Sequence, residues 1–150
     1  MKSGDIIYAK TNADFLNKAF GTNYKAWMKS VWTYDNKSIV WMVKFDNKVR
    51  GGFKNIIISD TRIAEENVDR KMIWDGNPID STLKYKKIVM EIDDSGFSRK
   101  YIFRGVYKYN EKDSDPLSIR YYDKIADEIF CWDWNFASIK NFNLNLNQKE

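Results

Sequence analysis

Lys87-Ile88-Val89-Met90-Glu91-Ile92, then Asp93-Asp94-Ser95-Gly96, then Lys100-Tyr101-Ile102-Phe103-Arg104-Gly105-Val106-Tyr107-Lys108-Tyr109 is the stretch that decides the fold. Two runs rich in β-branched and aromatic residues flank a cluster of turn formers, which predicts an antiparallel hairpin. Gly105 interrupts the second run, and whether it forms a bulge decides the face of Val106, so Tyr101, Phe103, Val106 and Tyr107 are not all assigned a face. Upstream, Ser38 to Asp46 is the clearest strand. Ile39, Trp41, Val43 and Phe45 share one face and Val40, Met42 and Lys44 the other, so both faces are expected to be covered.

Working outward, Gly4 to Lys10 reads as a short strand. Thr11 or Asn12 then caps a helix through Phe20 that Gly21 ends, with Asp14 in its first turn. Tyr24, Trp27, Met28 and Val31 recur at helical spacing, although Trp32-Thr33-Tyr34 suits extended backbone. Asp46-Asn47-Lys48 supplies hairpin chemistry, and Gly51-Gly52 suggests a bulge or a close approach to the backbone. Ile56-Ile57-Ile58 resumes as strand, and Asp60 to Glu66 reads as a polar connector or short helix. Asp75-Gly76-Asn77-Pro78 marks an exposed loop. Asp115-Pro116 resembles a helix start, with Ile119, Tyr122, Ile125, Ala126 and Ile129 in a helical stripe, while Arg120-Tyr121-Tyr122 could equally be extended. The expectation is a single α+β domain over residues 1–140, a curved, mainly antiparallel sheet or small barrel with two or three flanking helices. The asparagine-rich segment 141–150 is expected to be a flexible tail or the start of a linker.

Composition narrows the chemistry. The chain has 150 residues and no histidine, which removes the commonest general base and metal ligand. It has six tryptophans, nine tyrosines and nine phenylalanines among 25 lysines and arginines, with a net charge of +4. Flat rings and cations are the raw material for stacking on bases and holding phosphates. The single cysteine, Cys131, cannot close an intramolecular disulfide and reads as a buried thiol of a reduced, cytoplasmic protein. The sequence shows no signal peptide and no membrane-spanning run, so no membrane partner is expected.

No catalytic, metal or cofactor site is expected. Glu91, Asp93 and Asp94 form an acidic cluster, but the residue two after Glu91 is Asp93, where a metal-dependent nuclease core places lysine. A charged hairpin turn accounts for it. Binding has better material. Arg50 and Lys54 flank Gly51-Gly52-Phe53, and Arg99 and Arg104 lie on or beside the aromatic strand, so these four are the candidate phosphate contacts. Trp27, Trp32, Trp41 and Trp74 are the candidate base-stacking residues, with core packing as the plain alternative for each.

The string Tyr101-Ile102-Phe103-Arg104-Gly105-Val106-Tyr107, a polar loop, and Arg120-Tyr121-Tyr122 resembles the closing part of PUA-like domains. The similarity is to the EVE-like and SRA-like readers fused to nucleases in modification-dependent restriction systems. Gly4-Asp5-Ile6-Ile7-Tyr8 and Ile39-Val40-Trp41-Met42-Val43 suit the same barrel-like sheet. The resemblance implies a curved β-barrel whose aromatic pocket accepts a modified base, with cleavage performed by another domain or chain. The expected partner is nucleic acid, DNA foremost. Two other readings stay open: a small interaction protein that inhibits a phage or bacterial defence system by binding a protein partner, and a metal-assisted nuclease.

Overall fold

The computed structural model describes residues 1–68, 81–115 and 117–130. Trp74, Cys131 and the 141–150 segment lie outside the described residues.

Among the described residues eight strands form one sheet: β1 (Ile6–Tyr8), β2 (Val31–Thr33), β3 (Ser38–Val43), β4 (Phe53–Ser59), β5 (Arg62–Asn67), β6 (Lys86–Asp93), β7 (Lys100–Tyr109) and β8 (Ile119–Ala126). Their spatial order is β2-β3-β6-β7-β8-β5-β4, with β1 added to β7. Every pairing is antiparallel except β3 with β6. The expected hairpin is β6–β7, registered from Lys87 against Tyr107 to Asp93 against Lys100. Val89 faces Gly105 and Met90 faces Phe103, so Arg104 is the extra residue of a bulge. Gly105 sits there at φ +126°, and a Cβ would lie 2.9 Å from the Ala126 carbonyl oxygen. Only glycine fits that bend.

The two faces of β3 feed two cores. Val40 and Met42 join Met90, Tyr101 and Phe103 under α1 (Asn12–Phe20), whose Phe15, Leu16, Ala19 and Phe20 are buried there. Phe15 stacks on Tyr101 at 4.4 Å. Trp41 and Val43 point the other way, into the sheet's concave interior with Ile63, Val89, Tyr107 and Tyr122. Thr11 caps α1 by accepting from the Asp14 N–H at 3.1 Å, and the Gly21 N–H closes it on the Asn17 carbonyl. Truncating the fully buried Phe15 would cost about 3–5 kcal/mol.

Several expectations are corrected. Among the described residues there is one α-helix and one 3₁₀ turn (Ser81–Lys84), not two or three flanking helices. The segment carrying Tyr24, Trp27 and Met28 is irregular. The Asn17 side chain takes both backbone groups of Tyr24, at 2.9 Å each, in place of helical bonds. Asp60 to Glu66 is largely strand β5. Its charges oppose partners on β8: Arg62 faces Asp123 and binds it at 2.6 Å, and Glu65 faces Arg120. The stripe from Ile119 is strand β8, in which buried Arg120 and Tyr122 alternate with less buried neighbours. Asp46-Asn47-Lys48 does not join paired strands, because β3 and β4 lie far apart in the sheet order. Gly51 and Gly52 (φ +59° and +85°) form the corner of a tight turn closed by Arg50 and Phe53, which exchange both backbone hydrogen bonds.

Candidate nucleic-acid interface

The sheet curls until its two ends share a cleft. Trp41 and Val43 on β3, Phe53 and Asn55 on β4 and Glu65 on β5 line one space of about 380 Å³. Only the 44–52 loop links β3 to β4 along the chain, so the cleft is a seam in an open barrel. Its volume lies within the range of small-molecule sites. Met28, 93% exposed, stands at its edge.

The floor is polar and fixed. The Asn55 Oδ1 is buried with no hydrogen-bond partner. Glu65 accepts from the Tyr122 hydroxyl at 3.2 Å and lies 3.8 Å from the buried Arg120 guanidinium. Burial pushes the Tyr122 phenol well above its ordinary range, so it stays a neutral donor. The Lys87 ammonium, almost fully buried, lies 5.6 Å from the Trp41 ring and 5.3 Å from the Tyr122 ring. Trp41 is therefore held from behind by a cation and by Tyr122 at 5.7 Å.

The candidate stackers separate. Trp41 lines the cleft. Trp27 packs on Tyr24 at 4.8 Å and donates its indole N–H to the Val31 carbonyl. Trp32 packs on Phe20 at 5.2 Å and donates to the Tyr24 hydroxyl at 2.9 Å. Both belong to the cluster around α1, away from Trp41.

The candidate cations also divide. Arg50 lines the cleft but forms a two-pronged pair with Asp46 at 2.7 and 2.5 Å, which holds the Asp46 carboxyl well below the usual carboxylate range. Lys54 stands opposite Glu66 in the β4–β5 register. Arg99 donates to the Asn12 Oδ1 at 3.3 Å and covers the Tyr101 ring. Arg104 pairs with Glu91 beside a second opening lined by Tyr107 and Lys124. The acidic cluster is dispersed: Glu91 serves Arg104, Asp94 binds Lys44 at 2.6 Å, and Asp93 accepts from Ser95. Among the described residues no three acidic, histidine or cysteine side chains converge on a metal position.

Asn55 and Glu65 were not among the candidates read from the sequence. Asn55 did carry a signal, as a polar residue on the inward side of an apolar strand. Glu65 was hidden in the charged run of β5.

Residues 1–130 match the family model of the SET and RING associated domain. The chain belongs to the SRA family. SRA domains are PUA-like readers of modified cytosine, and the resemblance read from the β7 and β8 residues holds. Among solved structures, the 5-hydroxymethylcytosine-specific restriction enzyme AbaSI is similar, with a TM-score of 0.61 and 18% identity over 84% of this chain. At that identity the likeness shows the fold. This SRA chain spans about two fifths of that protein, 40% of its length. No curated protein matches the chain significantly. Among the described residues no helix is long and apolar enough to cross a membrane.

Proposed function

We propose that this SRA domain reads a modified cytosine in DNA by accepting the extruded base into the seam cleft. Trp41 and Phe53 act as apolar walls, and Asn55 and Glu65 meet the base edge. The observation that carries this reading is Asn55, which lines the cleft while its Oδ1 is buried and has no donor. Buried acceptors are costly to leave unpaired. A ligand amino group satisfies this one, and cytosine presents such a donor at N4. Glu65, oriented by Tyr122 and Arg120, adds a second acceptor on the same face. Two acceptors favour an amino-bearing edge over the carbonyl edge of thymine.

Phosphates of the flanking duplex fall to Arg50, Lys54, Arg99 and Arg104. Arg50 is the nearest of these to the cleft. The chain then acts as a reader without chemistry of its own, and a nuclease domain, fused or separate, supplies cleavage. AbaSI, of which this chain matches 40%, provides the analogy for fusion.

Tryptophan fluorescence titration with duplexes that carry unmodified, methylated or hydroxymethylated cytosine, at two salt concentrations, tests the reading. The expected result is quenching that strengthens with modification, weakens with salt and is lost in Trp41→Phe. A signal indifferent to modification, or no response to DNA, would overturn it.

A further inference from the structure

A further cleft, of about 400 Å³, opens between the β1–α1 connection, the last turn of α1 and the tip of the β6–β7 hairpin. Its lining combines Tyr8, 54% exposed, and Phe97, fully exposed, with Lys10, Lys18 and Arg99. Folding alone does not account for Phe97, because a ring at a hairpin tip buries no apolar surface. Lys18 reaches the Tyr8 carbonyl at 2.8 Å and lies 3.4 Å from Asp14. Lys10 makes no ion pair among the described residues. Asp14 is paired with Lys18 and Asp94 attracts Arg99, so among the described residues Lys10 is the cation left without an acidic partner beside the two exposed rings.

This cleft is tied to the seam. Asn12 lines the seam cleft, while its Oδ1 accepts from Arg99 at 3.3 Å and from the Tyr101 hydroxyl at 2.6 Å. Lys44, also in the seam lining, binds Asp94 on the hairpin tip at 2.6 Å. The hairpin tip is thus braced at two points against the rim of the proposed base site.

Given the reading that this chain binds DNA, we infer that the Tyr8–Phe97 cleft is a second nucleotide subsite. It takes one unstacked base of the same DNA against its exposed rings, with that nucleotide's phosphate on Lys10 and Lys18. Aromatic rings beside exposed lysines suit a nucleotide, since every base offers a flat face and every nucleotide a negative charge. An apolar protein segment would leave Lys10 without a counter-charge.

Photocrosslinking tests the assignment. 5-Iodouracil is placed at successive positions on either side of the modified cytosine, in duplexes and in duplexes with a single-stranded extension, and the crosslinked peptides are mapped. Crosslinks at Tyr8 or Phe97 from flanking positions are expected. Phe97→Ala should weaken DNA binding about five-fold or more, the lower range for one base–aromatic stack. The ratio of affinities for modified over unmodified DNA should stay at the wild-type value, as should the melting temperature. Crosslinks confined to the seam residues, with unchanged affinity in Phe97→Ala, would sink the subsite and leave the reader intact; Phe97 would then serve a protein partner. A protein that binds no DNA at all would overturn both.

Discussion

Asn55 and Glu65 are direct cross-strand partners in the β4–β5 register, and both line the seam cleft. A carboxamide opposite a carboxylate on a concave face is poor material for a core. Glu65 has its own support in Tyr122 and Arg120, whereas the Asn55 oxygen has none. That asymmetry separates stability from binding. Asn55→Leu should raise the stability of the free protein by about 1 kcal/mol, since a buried unpaired polar atom is removed. The same change should lower affinity for modified DNA by about ten-fold, in line with the loss of one base-edge contact. Thermal melting and competition binding on one preparation read both effects. A variant that loses stability and keeps its affinity would show that Asn55 is a structural residue.

Glu65→Gln retains size and shape but turns half of an acceptor into a donor. Discrimination between a cytosine and a thymine in the cleft should fall by about ten-fold, within the usual range for a mispaired base contact. Binding to both duplexes, measured by anisotropy, gives the ratio. An unchanged ratio would place the base edge elsewhere.

Arg50 offers a test of charge. Asp46 neutralises it through two hydrogen bonds in an exposed loop. Asp46→Asn should free the guanidinium for phosphate, tighten DNA binding and steepen the dependence of log K on log salt by about one unit. Arg50→Ala should flatten that dependence by a similar amount. Equal slopes in both variants would remove Arg50 from the interface.

The sequence exposed the parts of the fold that local rules govern. The β6–β7 hairpin, the caps of α1 and the two-sided burial of β3 all follow from neighbours within a few residues. The parts governed by distant partners were concealed. Arg62, Glu65 and Glu66 resemble a solvated connector until Asp123 and Arg120 of β8 lie opposite β5. Ile119, Tyr122 and Ile125 mimic a helix because their spacing of three also occurs by chance in a strand. The same limit applies to the cleft. Trp41 and Arg50 stood among the candidates, but nothing local tells which ring faces the interior. Seam partners on β4 and β5 become legible only when the sheet curls.

Alkaline stability should report the buried phenols. Burial raises Tyr101 to about 12 and moves Tyr107 and Tyr122 upward as well. In the unfolded chain a phenol ionises near 10. Folded-state values above the unfolded one mean that the stabilisation is complete below about pH 10. It is then lost as pH rises toward 12, because only the unfolded chain releases protons there. Melting temperature should therefore hold to about pH 9.5 and fall steeply beyond. Tyr101→Phe should soften that fall while losing the hydrogen bond to Asn12. A wild-type curve flat through pH 11 would mean that the phenols ionise in the folded protein.

Trp32 decides between an extended aromatic pocket and a local one. Its indole N–H donates to the Tyr24 hydroxyl at 2.9 Å, and its ring leans on Phe20 and Tyr34. These contacts consume one face and the donor, so little of the ring is left for a base. Trp32→Phe removes the hydrogen bond and part of the packing, and should destabilise the fold by about 1–2 kcal/mol. DNA affinity and modification preference, measured well below the lowered melting temperature, should match the wild type. Trp41→Phe should show the opposite pattern, with lost quenching and weakened binding. If Trp32→Phe instead abolished discrimination between modified and unmodified cytosine at intact stability, the base would have to lie against α1, and the seam assignment would fall.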